Sequence, residues 1–162
     1  MGILQSAPES CMRIKQASLA LLLLGAAGLA GLAPAGLARA QGDVVAQRQA
    51  GLKRMSGNLE AIKKTLEAKG DLSLVAERSQ DMVTFFQGFP ALFPPGSDTG
   101  DTHARPAVWS DRAEFQAAAG RMVAAASKLH EAAASGDADA TATAFREAGG
   151  TCGACHRAFR AR

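Results

Sequence analysis

The chain has 162 residues, 48% apolar and 20% charged, with seven Phe, one Trp, no Tyr and a formal net charge of +3. That length favours one domain and leaves too few residues for a large α/β enzyme built on a dinucleotide domain. The composition excludes collagen, a charged disordered chain and a disulfide-dense mini-protein, and its Ala and Leu richness with few β-branched residues points to helices.

The first forty residues read as a secretory signal rather than as part of the fold. Met12, Arg13, Ile14 and Lys15 give a basic start, and Leu19 to Leu32 is an apolar run broken only by glycine. Pro34 and Gly36 end the run, and Ala38-Arg39-Ala40 supplies the small-x-small pattern for cleavage before Gln41. The alternative is a membrane anchor, since residues 17–37 carry no charge and are about long enough to span a bilayer. The glycines, the proline and the terminal A-x-A suit a signal better. Residues 1–11 precede the better start at Met12 and read as an over-extended start, so Cys11 carries no weight. Removal of residues 1–40 takes Arg13, Lys15, Arg39 and Glu9, leaving 15 basic and 14 acidic residues in 41–162. A chain so near neutrality carries no footprint for nucleic acid or anionic lipid, and no stable membrane association is expected after cleavage.

Four helices follow from the apolar period. From Asp43 to about Lys69, apolar residues fall at Val45, Leu52, Met55, Leu59, Ile62 and Leu66, one stripe of an amphipathic helix. Gly70 suits the position just past its end and Asp71 suits an N-cap. A second helix over Leu72 to Gln87 places Leu72, Val75, Ser79, Met82 and Phe86 on one face. Gly88 to Ala107, rich in Pro and Gly, is expected to be loop, and its length marks it as functional or mobile. Asp111 with Glu114 resembles a capping box for a third helix that turns Phe115, Met122, Ala126, Leu129 and Ala133 inward and stops at Ser135-Gly136. Asp137 caps a fourth, with Phe145, Ala148, Cys152, Cys155 and Phe159 on its inner face. Short connections at Gly70 and Gly136 make those pairs antiparallel. The fold expected is all-α, an antiparallel up-down-up-down four-helix bundle. His130 is read as a solvated surface histidine, and Gly149-Gly150 as a point where backbone closely approaches a cofactor or another helix.

The chemistry lies in Cys152-Gly-Ala-Cys155-His156, a c-type haem attachment motif. Thiols at i and i+3 share one edge of a helical turn, where they can add to the two haem vinyl groups. His156 then comes under the iron and supplies an imidazole. A zinc site would need further ligands, and His103 and His130 lie on different elements. A thioredoxin-like pair needs a βαβ setting, and a disulfide within a helix is strained. One covalently bound haem c per chain is therefore expected. Arg48 extends the apolar stripe of the first helix backward. It is either an edge arginine reaching water or a charge partner for a haem propionate, whose carboxylate a guanidinium fork suits. Arg160 is four residues after His156 and so on the same helical face.

The motif sits on the last helix of a bundle, and four segments carry a wider resemblance. They are Arg48-Gln49-x-x-Leu52-x-x-Met55, the turn Phe93-Pro-Pro-Gly96, Thr102-x-Ala104-x-Pro106-x-Val108-Trp109-Ser110-Asp111, and Cys152-x-x-Cys155-His156-x-x-x-Arg160. In this order they resemble the cytochrome c′ family of class II c-type cytochromes, over the whole of residues 41–162. The resemblance implies that Arg48 and Gln49 meet the haem edge and that Thr102 and His103 approach it from the loop. It also implies that Leu52 covers the open face of the iron and Arg160 flanks the proximal side. Leucine cannot ligate and the inner stripe offers no His or Lys, so the iron is expected to be five-coordinate and high-spin with His156 as its sole protein ligand. The rival is a Met55 ligand giving a six-coordinate, low-spin carrier of the cytochrome c-556 type. Phe93 reads as a residue of the distal pocket or of ordinary packing. The resemblance further implies a periplasmic protein for electron transfer, binding of small diatomics such as NO and CO, or both. Its partners would be those gases, a redox partner not identified by the sequence, and a second copy in a homodimer. A peroxidase would want a distal acid–base group, which the first-helix stripe does not offer, so no enzymatic activity is expected.

Overall fold

The computed structural model describes residues 35–162, with side chains from residue 44 onward. The expected signal segment thus lies outside the described residues apart from residues 35–40, which are helical. Four long helices form the bundle: α1 (Ala35–Glu67), α2 (Leu72–Gly88), α4 (Arg112–Ala134) and α5 (Ala138–Phe159), with a one-turn helix α3 (Ala107–Ser110) leading into α4. The described residues contain no strand, only an isolated antiparallel bridge between Ala104 and Arg160.

The apolar period decides which faces meet. Val45, Met55 and Ile62 of α1 are buried, as are Val75, Ser79, Met82 and Val83 of α2. So are Phe115, Met122, Ala126, Leu129 and Ala133 of α4, all five of the side chains expected inward. Ser79 survives in this core because its hydroxyl donates to Val75 O at 2.7 Å within its own helix. α2 packs on α4 and α4 on α5, while α1 lies on α2 and on a 3₁₀ turn at Phe89–Leu92. At Gly51 of α1 the backbone lies so near the Phe85 ring that a Cβ would overlap it. A polar lock crosses the same α1–α2 interface. Asn58, 2% exposed, donates to Asp81 Oδ2 at 2.8 Å, and Arg54 Nε reaches that oxygen at 3.1 Å.

The helix ends depart from expectation in instructive ways. α1 closes with Gly70 N–H donating to Thr65 O and Lys69 N–H to Leu66 O, so the left-handed residue is Lys69 (φ 49°) and not Gly70. The helix stops at Glu67, earlier than the periodic pattern suggested, and the glycine falls one place late. Asp71 caps α2 through Ser73 N–H at 2.8 Å, Gly136 (φ 78°) ends α4, and Asp137 caps α5 through Ala140 N–H at 2.9 Å. The Asp111–Glu114 capping box does not form. Asp111 sits at the junction of α3 and α4, where its backbone serves both, and Glu114 pairs instead with Arg121. His130 is not a solvated residue: half-buried, it donates from Nδ1 to Ala76 O at 2.9 Å and ties α4 to α2. A Cβ at Gly149 or Gly150 would meet nothing within 4 Å among the described residues, so no other helix crowds that pair.

The segment expected to be loop is partly ordered. Beyond the 3₁₀ turn it reverses at Gly96 (φ 81°) and Gly100 (φ 82°), both left-handed positions that favour glycine. Its aromatic residues build a second core. Phe93 packs on Phe89 at 5.0 Å, on Phe115 at 4.9 Å and on Trp109 at 6.0 Å between ring centroids, and Phe115 reaches Phe159 of α5 at 5.3 Å.

Candidate haem site

A cavity of about 470 Å³ opens between α1 and α5, floored by α4 and by the aromatic cluster. Its wall is supplied by α1, Phe86 of α2, the Phe89–Val108 connection, α4 and α5. Arg48, Gln49, Leu52, Thr102, His103, Cys152, Cys155, His156 and Arg160, drawn from three separated stretches of sequence, all line it. Met55 and Phe93 do so as well.

On α5 the i, i+3 spacing turns both thiols to the cavity, each half-buried, and neither is in a disulfide. Burial pushes both thiols up from their ordinary value, and the neighbouring Cys152 adds to that at Cys155. They are therefore held as neutral thiols. Cys152 Sγ lies 3.8 Å from the sulfur of the buried Met122. His156 is exposed to the cavity side, and burial of its ring, then the Arg160 guanidinium, pull its pKa down. An imidazole kept neutral has a lone pair to give to a metal. Among the described residues no three His, Cys, Asp or Glu side chains converge as a metal cage.

On α1, Leu52 is 36% exposed, the one large apolar side chain so exposed among the described residues, and it faces the cavity rather than the core. Met55, one turn on, is 2% exposed and belongs to the central core while touching the cavity wall. Arg48 is buried at 3% exposure without a carboxylate partner among the described residues. Its guanidinium donates to Ser97 O (2.8 Å), Ser97 Oγ (3.1 Å), Thr102 Oγ1 (2.6 Å) and Leu92 O (3.3 Å), and it stacks over Phe93 at 4.6 Å. Gln49 Nε2 donates to Asp101 O at 2.6 Å. The first helix thus straps the connection across the cavity rim.

The same connection grips the end of α5. Arg105 N–H donates to Phe159 O and Ala161 N–H to His103 O, while the Arg105 side chain reaches Arg157 O at 3.1 Å. This changes the expectation for Arg160. It lies one residue past the helix: α5 ends at Phe159 and Arg160 is its extended C-cap (φ −113°, ψ 130°), its N–H still donating to His156 O one turn back. The bridge to Ala104 still sets it at the cavity wall. Ser97, Arg105 and Met122 were not legible as site residues. Only Met122 carried a sequence signal, as an inward position of its helix.

An apolar slot with two neutral thiols and a neutral imidazole on one wall, and an unpaired guanidinium at its rim, fits a covalently attached haem. The donors match its vinyl groups, its iron and its carboxylates in kind. Fold and site together define a c-type haem protein on a four-helix bundle. The chain belongs to the cytochrome c′ family, whose model matches residues 43–160. It is similar to a cytochrome c′ of Rhodopseudomonas palustris, 38% identical over 133 residues covering 78% of this chain and 88% of that one. The crystal structure of cytochrome c′ from Thermochromatium tepidum superposes with a TM-score of 0.71 at 31% identity, covering 75% of this chain and 97% of the other. A nitric oxide complex of a leucine-to-alanine mutant of the Alcaligenes xylosoxidans protein matches at 29% identity and a TM-score of 0.69, covering 75% and 96%. The family carries covalently bound c-type haem with iron.

Proposed function

We propose that this chain holds a five-coordinate, high-spin haem and serves in electron transfer, in binding of small neutral gases, or in both. When bound, the haem supplies an iron that can exchange an electron or take up a neutral diatomic. Cys152 and Cys155 fix its edge to α5, and His156 gives the neutral imidazole lone pair from one side. On the other side Leu52, Met55 and Phe86 present apolar surface with no hydrogen-bond donor, which excludes water and disfavours anions. Arg48, held by Ser97 and Thr102, keeps a buried positive charge at the rim for a propionate. The observation that carries this reading is Leu52: a large apolar side chain turned to the cavity opposite the thiol–imidazole wall, with nothing that ligates on it. The nitric oxide complex of the Alcaligenes relative supports the gas-binding half.

Residues 1–40 act in this reading as an export signal, and the mature chain works in the periplasm, where haem is attached. No helix among the described residues is long and apolar enough to cross a membrane. A homodimer through the outer faces of α1 and α2 completes the proposal.

The denatured, reduced protein should weigh more than its chain by the mass of one haem. The ferrous protein should then give a high-spin visible and resonance Raman spectrum. A low-spin spectrum with sharp split bands would transfer the second axial position to Met55. A mass equal to the bare chain after expression with the attachment machinery would remove the haem altogether.

A further inference from the structure

A helix leaves its last four carbonyls without an N–H from its own backbone, and those of α5 belong to the turn that carries His156. The chain supplies no local glycine cap there, since Arg160 is extended and no glycine follows Phe159. His156 O accepts the Arg160 N–H at 3.1 Å. The other three carbonyls all accept from one residue, Arg105, which lies 52 positions before Arg157. Its N–H donates to Phe159 O at 2.9 Å, and its Nη1 to Arg157 O at 3.1 Å and to Ala158 O at 3.4 Å. Arg105 is itself fixed. Its carbonyl accepts from Val108 N–H at 3.0 Å where α3 begins, and Pro106 restricts the backbone between them. Just before it, Ala104 N–H reaches Thr102 Oγ1 at 3.2 Å, the same oxygen that Arg48 of α1 holds.

Resting on the haem reading above, we propose that Arg105 is a positioning residue for the iron ligand: it fixes the turn from which His156 is aimed. A metal-binding imidazole is ordinarily oriented by a hydrogen bond from its second nitrogen to a fixed acceptor. Among the described residues nothing hydrogen-bonds the His156 ring, and the side chain is exposed. The two thiols lie earlier on the helix, Cys152 against the central core and Cys155 against the aromatic one. Beyond them the aim of the ring is set by the backbone of the last turn. The buried Phe159 side chain holds that turn from inside, and Arg105 holds its carbonyls from outside. A guanidinium at a helix C-terminus also meets the negative end of the dipole, so charge and hydrogen bonding act together. Arg157, on the turn itself, does not serve, because its guanidinium turns back toward Gly153.

The test compares the ferrous holoprotein with Arg105→Ala, Arg105→Lys and Arg146→Ala, the last removing a cation from the same helix away from its end. Arg105→Ala should quicken amide hydrogen exchange about fivefold at Arg160 and Ala161 and leave Ala140 and Thr141, at the other end of α5, unchanged. The iron–imidazole stretching band in resonance Raman should broaden and move to lower frequency. Arg105→Lys, which keeps a cation at the carbonyls, should restore more than half of both changes, and Arg146→Ala should cause neither. If Arg105→Ala does not fold, Arg105→Gln, which keeps a donor without the charge, is read in the same way. Quickened exchange with an unmoved band would reduce Arg105 to a helix cap and overturn the positioning role. Unchanged exchange, or a band that Arg146→Ala moves equally, would overturn the cap as its cause. Failure of the haem reading looks different: the parent itself would carry no added mass and no such band. Arg105 would then hold a turn with no ligand to aim, which overturns the proposal with it.

Discussion

Arg48 offers the sharpest test of how the site is assembled. Arg48→Met keeps the length and apolar stem of the side chain but removes its four donated hydrogen bonds. It leaves Ser97 O, Thr102 Oγ1 and Leu92 O without that partner. A hydrogen bond to a charged group contributes about 1.5–3 kcal/mol alone, but bonds sharing one guanidinium do not add. The variant also relieves the desolvation of a buried guanidinium, which offsets part of the loss. The net expectation is a loss of about 3 kcal/mol, with the strap from Ser97 to Ala104 loosened first. In urea, at a slope of about 1.5 kcal/mol/M, that shifts the holoprotein midpoint down by roughly 2 M. Amide hydrogen exchange should quicken selectively at Ser97, Thr102 and Ala104. Arg48→Lys, which keeps the charge but not the fork, should recover less than half the loss. An Arg48→Met midpoint within about 0.3 M of the parent, with exchange unchanged at those amides, would refute the strap.

Other perturbations probe separate parts of the molecule. Leu52→Ala should leave the fold intact, because the side chain faces the cavity, and should raise CO affinity of the ferrous protein; unchanged CO titration would deny its covering role. Lys69→Gly should stabilise the protein by about 1 kcal/mol by removing a left-handed lysine, read as a higher thermal midpoint. Gly51→Ala should destabilise by about 1–3 kcal/mol, since the new Cβ runs into the Phe85 ring, and Phe85→Leu in the same chain should restore part of it.

Much of this molecule could be read from the chain because helical period and the attachment motif are both local. The stripes of α1, α4 and α5 needed only spacing, and Cys152, Cys155 and His156 lie within five residues. What escaped depends on distant segments meeting. Arg48 looked ambiguous until Ser97 and Thr102 arrived over it, and the connection looked like loop because the partners ordering it are elsewhere. Trp109 and Arg112 supply donors to Pro94 O and Pro90 O from beyond the turn. Arg160 was placed on a helix by counting, whereas pairing with Ala104 ends the helix before it. Two glycines signalled closeness at Gly149-Gly150, but no other helix approaches them, and the crowded glycine is Gly51.

The Asn58–Asp81–Arg54 lock has a consequence for specificity. The apolar stripe of α1 repeats every turn, so sliding that helix by one turn along α2 would bury much the same surface while displacing Leu52 by about 5.4 Å along the axis. Such a slip would strand Asn58 and the Asp81 carboxylate without their partners, a penalty the greasy face alone cannot impose. A few polar atoms within two turns of Leu52 therefore act as a vernier, setting which side chain stands guard over the pocket.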